Sequence, residues 1–202
     1  MNNSSDQNFE VKWNLFFPHK LPIKYLFKYY FSENWLRIYS LPQAKRYAED
    51  PIELQQLLQH QNQIFSDCFN SEMIIHIVSG CYSHGEIKSS DHSQNPLSRY
   101  DFEIGTPIHL HSADPFYFDD GENNDRYFTP HFVQSIWKQN LHNDLLIKIA
   151  DDETDAFFIS FEKNIIIAPY DGGIDLIASD LKLINRLKQR YTSYLSNRED
   201  GL

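Results

Sequence analysis

Residues 155–178 read DAFFISFEKNIIIAPYDGGIDLIA, and this stretch decides the fold. Two apolar runs, 155–161 and 164–168, are joined by Glu162-Lys163-Asn164, the spacing of a hairpin, so the chain should run out along one strand and back along the next. Asp171-Gly172-Gly173 then supplies a second reversal. Two glycines permit positive φ there, and Asp171 can bond the amides of its own turn. Run 174–178 returns as a third strand, giving three adjacent antiparallel strands.

Working outward, the next element is a helix opening near Ser179-Asp180, with Leu183, Ile184, Leu187, Tyr191 and Tyr194-Leu195 on one face. Lys182, Arg186, Lys188 and Arg190 lie largely outside, so the helix covers the sheet. On the other side, Asn143 to Ala150 has the pattern of a short helix, and 132–138 reads as a strand, although Phe132 with Ile136 also fits a helix.

The opening of the chain repeats the logic. After a polar tail, 1–8, aromatic clusters at 13–17 and 25–31 are separated by Pro18 and Pro22, the second reading as a short helix that ends before Ser32. Residues 35–41 alternate: Trp35, Arg37 and Tyr39 face one way, Leu36, Ile38 and Ser40 the other, and Pro42 stops the strand. The clearest helix start is Asp50 as N-cap, Pro51 in the first turn and Glu53 three residues after the cap. Its apolar stripe is Leu54, Leu57, Leu58, Ile64, Phe65, Cys68 and Phe69, with Gln and His opposite. Residues 73–78 form a compact β-branched strand ending at Ser79-Gly80. The order predicts one α+β domain over 1–202, a mainly antiparallel sheet with helices packed on it, and a long irregular insertion at 83–129.

Composition supports a folded chain: hydrophobic residues make up 41% and aromatics 15%, too apolar for disorder. Eighteen Lys+Arg against 28 Asp+Glu give a net charge of −10. That field repels nucleic acid and anionic lipid, and its natural complement is a basic protein. Cys68 and Cys81 have no metal-ligand or disulfide spacing and read as thiols in a reducing cytoplasm. No signal peptide and no apolar run of about 20 residues is present, so no membrane association and a cytoplasmic location are expected.

Common catalytic signatures are missing: no phosphate-binding Gly-rich loop, no dinucleotide fingerprint, no nucleophile elbow and no zinc-protease helix. No cofactor is expected. His109 and His111 would project from one face of a strand, with Asp114 as an oxygen ligand, which makes them the alternative metal site. Pro107 and Pro115 argue for a loop instead. Asp119, Asp120, Glu122 and Asp125 form one acidic patch and Asp151, Asp152 and Glu153 another, and such patches steer encounter with a basic partner. The run Tyr170-Asp171-Gly172-Gly173 with Asp175 reads as a structural turn. Its catalytic alternative pairs Asp171 and Asp175 as acid–base carboxylates, beside His109, His111 and Asp114, in a small hydrolase or metal-dependent enzyme.

The chain also resembles an uncharacterised bacterial family of domains of unknown function. The resemblance rests on Trp35-Leu36-Arg37-Ile38-Tyr39-Ser40-Leu41-Pro42 with Lys45-Arg46-Tyr47-Ala48, on the closing Pro169-Tyr170-Asp171-Gly172-Gly173-Ile174-Asp175, and on Leu195-Ser196 and Gly201-Leu202. It covers the two ends, about half the chain. It implies a standalone protein without assigned activity and, through some related groups, a role as an immunity protein against polymorphic toxins. The expectation is therefore a binding protein that masks a basic toxin domain through its acidic loops.

Overall fold

The computed structural model describes residues 8–85, 99–118, 125–196 and 198. Its strands are β1 (Trp35–Tyr39), β2 (Ile74–His84), β3 (Glu103–Ile104), β4 (Ile108–His109), β5 (Arg126–Ile136), β6 (Phe157–Ser160), β7 (Ile165–Tyr170) and β8 (Gly173–Ala178). The sheet order is β1-β8-β7-β6-β2-β5-β3, with β4 also on β5. The pairs β1–β8, β8–β7, β7–β6, β5–β3 and β5–β4 are all antiparallel, so the fold is α+β. The described helices are α1 (Phe9–Phe16), α2 (Phe27–Tyr30), α3 (Pro51–Cys68), α4 (Leu110–Ala113), α5 (Pro115–Phe118), α6 (Asn143–Ala150) and α7 (Leu181–Arg190).

Contacts divide the chain into two compact units, Met1–Pro22 with Val78–Val133, and Ile23–Ile77 with Gln134–Leu202. The larger unit holds the hairpins read from 155–178. Every residue of β6 and β8 is buried, as befits strands covered on both faces. Pro169 fits inside β7 because it lies beyond the end of β6, where no ladder bond is required of its nitrogen, and its carbonyl accepts from Lys24 at 2.8 Å.

α3 starts where the sequence places it. The Asp50 carboxylate accepts from the amides of Ile52 and Glu53 at 2.8 and 2.9 Å, and Pro51 needs no acceptor. Its buried side carries Leu57, Ile64 and Phe65; Phe65 stacks on Trp137 at 4.6 Å and meets Phe158 edge-on at 4.9 Å. One expectation is corrected, since Gln61 and Asn62 are buried rather than on the solvent side. Asn62 is tolerated because it is bonded: it donates to Leu58 O and Asn143 Oδ1 while accepting from the Asn140 amide at 2.7 Å; Gln61 donates to Ser40 Oγ, and its Oε1 is buried without a hydrogen-bond partner among the described residues.

In the smaller unit the aromatic cluster at 13–17 proves to be the end of a helix. Asn8 caps α1 by accepting from Glu10 and Val11 amides, and Phe9 and Trp13, four residues apart, are both buried. Phe9 stacks on Phe132 at 5.0 Å and Trp13 Nε1 donates to Lys20 O at 2.7 Å. β2 runs past Gly80 to His84 instead of stopping there. Gly80 is required by space: a Cβ would fall 2.3 Å from the Phe128 ring and 2.7 Å from Thr129 O. Between β2 and β5, the described stretch 99–118 carries β3, β4, α4 and α5. No helix among the described residues is long and apolar enough to cross a membrane.

Candidate functional site

The two segments that carry the resemblance are sheet neighbours in the larger unit. β1 lies antiparallel to β8 with Arg37 opposite Asp175 and Tyr39 opposite Gly173. The glycines of the turn are needed for room, which corrects the expectation of positive φ: the only described glycine with positive φ is Gly85. A Cβ on Gly173 would lie 2.4 Å from Ile38 O and 2.9 Å from Tyr39 Cα, and one on Gly172 2.9 Å from the Tyr170 ring.

Asp171 and Asp175 do not form a carboxylate pair, because each is taken by a different arginine. Arg37 donates through Nε and Nη2 to the two Asp175 oxygens at 2.7 and 2.8 Å, with both side chains mostly buried. Burial works to lower the Arg37 pKa, but the hydrogen bond and charge of Asp175 outweigh it and the guanidinium is held more firmly charged. The same guanidinium lies 4.6 Å from the Tyr170 ring centre and 5.3 Å from that of Trp35. Tyr170 Oη is buried without a hydrogen-bond partner among the described residues, and burial pushes its pKa up.

Asp171 is likewise buried, and it accepts from outside its own turn. Arg46 Nε donates to Oδ2, as does the Tyr47 hydroxyl at 2.9 Å. That bond to Asp171, then burial, raises the Tyr47 pKa. Arg46 and Tyr47 are themselves exposed and so cap the carboxylate from the solvent side. They are presented by a constrained segment. Gln43 and Ala44 both take left-handed φ, 58° and 56°, which costs energy in non-glycine residues. Lys45 anchors the next turn by donating to both Glu53 oxygens at 2.7 Å.

Ala48 and Leu58 pack on the buried cluster of Leu41, Leu57 and Ala150, which places the end of α6 beside this segment. Directly after α6 come Asp151, Asp152 and Glu153, all exposed, with Asp152 at φ 58°. The Asp152 charge acts on both Arg46 and Tyr47. One acidic patch is therefore contiguous with the turn that the sequence reads separately. Arg37, Arg46 and Tyr47 are what sequence reasoning misses, since their carboxylate partners lie more than a hundred residues away.

The other candidates fall elsewhere. Asp119, Asp120 and Glu122 lie outside the described residues; Asp125 is exposed in the smaller unit, and its carbonyl accepts from the Gly85 amide. His109 ends β4 and its Nδ1 accepts from the Ser112 amide at 3.1 Å, capping α4. His111 lies within α4, so the two rings do not share a strand face. Among the described residues, no group of three or more His, Cys, Asp or Glu could hold a metal ion. The smaller unit also contains a cavity of about 470 Å³ lined by Trp13, Lys20, Leu21, Thr106, Ile108 and Pro130, among others.

No curated protein and no solved structure matches the chain. Residues 23–199, a span that takes in β1, the Arg46–Tyr47 segment, the acidic patch after α6 and the β7–β8 turn, match the family described as Domain of unknown function (DUF3885). The chain belongs to that family.

Proposed function

We propose that this protein is an immunity-type binding protein that neutralises a basic bacterial toxin domain by occupying its surface. The observation that carries the reading is the contiguous ledge of Asp151, Asp152, Glu153 and exposed Tyr47, resting on the Arg46–Asp171 pair. Carboxylates at the rim raise the encounter rate with a cationic surface, and a half-exposed tyrosine supplies contact area at small entropic cost. The net charge of −10 favours the same class of partner. The resemblance supplies the immunity role, and with it a bacterial origin and a cytoplasmic site of action.

Co-expression with the toxin encoded beside the gene, followed by pull-down, tests the reading. Protection of the host and a complex that dissociates with rising salt are expected. Asp151→Lys, Asp152→Lys and Glu153→Lys together should abolish both while leaving the fold intact. Absence of a complex and of protection with every neighbouring toxin would defeat the reading.

A further inference from the structure

β1 ends the sheet on one side, with β8 as its neighbour. The direction of its backbone groups follows from two flanking bonds. Ala178 donates to Asn34 O, and Ser40 donates to Gly172 O, in continuation of the β1–β8 register. Hydrogen-bonded pairs alternate along an antiparallel ladder, so Leu36 and Ile38 turn their N–H and C=O toward β8, flanked by the Asn34 carbonyl and the Ser40 amide. Trp35, Arg37 and Tyr39 turn theirs away from the sheet. Among the described residues no backbone hydrogen bond reaches these three from that side.

Protein edges are normally guarded by a charge, a proline or a bulge. β1 has no proline or glycine, and its one charge, Arg37, is folded onto Asp175 of the neighbouring strand. This edge also leads directly to the acidic ledge: Ser40 bonds to Gly172, Asp171 holds Arg46 and Tyr47, and Asp152 acts on both. We infer that the free edge of β1 receives an extended segment of the basic partner as an added strand, aligned so that its cationic side chains reach Asp151, Asp152 and Glu153. Main-chain bonds to Trp35, Arg37 and Tyr39 give the attachment, and the ledge gives the preference for a basic segment. The inference rests on the binding reading above and names how that partner docks.

Hydrogen exchange resolved by residue tests it on the whole protein, with the acetylated, amidated heptapeptide Lys-Val-Lys-Val-Lys-Val-Lys as probe and its Glu-Val counterpart as control. In the free protein the amides of Trp35, Arg37 and Tyr39 should exchange faster than those of Leu36, Ile38 and Ser40. The basic peptide should slow the first three at least about tenfold, and the acidic peptide should not. Tyr39→Pro, which removes one outward N–H and none facing β8, should abolish the effect; if it does not fold, the pattern in the unmodified protein decides. Unchanged exchange at all three amides with the basic peptide overturns the inference. So does protection without peptide that grows with protein concentration, since the edge would then be occupied by a second copy of the chain. A toxin complex that needs the ledge but leaves these amides unprotected would remove strand addition and keep the binding reading. Peptide protection without any toxin complex would do the reverse.

Discussion

Arg37 and Asp175 face each other across the β1–β8 register and close it with two parallel hydrogen bonds of 2.7 and 2.8 Å. Both side chains are more than four-fifths buried, so removing one leaves the other charged and unmatched. Asp175→Asn should cost about 3 kcal/mol, measured by urea unfolding. Arg37→Met with Asp175→Leu should cost less than the sum of the single changes. Additive losses would mean that the pair is not coupled.

The two turn glycines should differ in their tolerance of a methyl group. Gly173→Ala drives Cβ into backbone of β1 and should cost about 3 kcal/mol or more, whereas Gly172→Ala presses on the Tyr170 side chain and meets Arg46 at ordinary contact distance, and should cost about 1 kcal/mol. Equal losses on thermal unfolding would show that conformation, not room, sets the requirement.

The two thiols should be separable by reactivity. Burial pushes Cys68 up to about 12, and it also raises half-buried Cys81 to a lesser degree of enclosure. At pH 8, iodoacetamide should label Cys81 slowly and Cys68 only after denaturation. Labelling of Cys68 in the native protein, located by mass spectrometry, would contradict its enclosure.

His60 should make the protein less stable in mild acid. Its Nδ1 lies 3.0 Å from Ser40 O, its ring packs 4.0 Å from that of Tyr194, and Nε2 is buried without a hydrogen-bond partner among the described residues. Burial lowers its pKa below the usual value of 6.5. The unfolded chain therefore binds the proton first, so the contribution is complete above pH 6.5 and is lost as pH falls through the lower folded value. The His60 ring resonance should titrate below 6.5 by NMR. His60→Gln should flatten the stability–pH slope in that range.

How much of this was legible depended on how local the cause is. The hairpins of 155–178, the start of α3 and the helix α6 are encoded within a few residues, through caps, turn lengths and apolar period, and all three are where the sequence places them. α1 was hidden because its cap, Asn8, sits in a polar tail that Phe9 directly follows, and only Phe132, far along the chain, explains why Phe9 is apolar. Gly80 resembles a strand end until the Phe128 ring lies across it.

The candidate site divides along the same line. Tyr170, Asp171, Gly172, Gly173 and Asp175 stood out by composition, yet the tasks of the two carboxylates are set by Arg46 and Arg37. Asp151, Asp152 and Glu153 are exposed as expected, but their neighbourhood with Tyr47 comes from the packing of Ala48 and Leu58 against Leu41, Leu57 and Ala150. Contacts of that kind carry no local signature.

The β1–β8 pairing has a further consequence during synthesis. Arg37 leaves the ribosome 138 residues ahead of Asp175, so the nascent chain carries an aromatic strand without its sheet neighbour until β8 follows. Closing so long a loop is slow, and exposed strand backbone in the interval is a site for chaperones to shield and for premature aggregation to begin. Completion of the larger unit is thus tied to the arrival of β8.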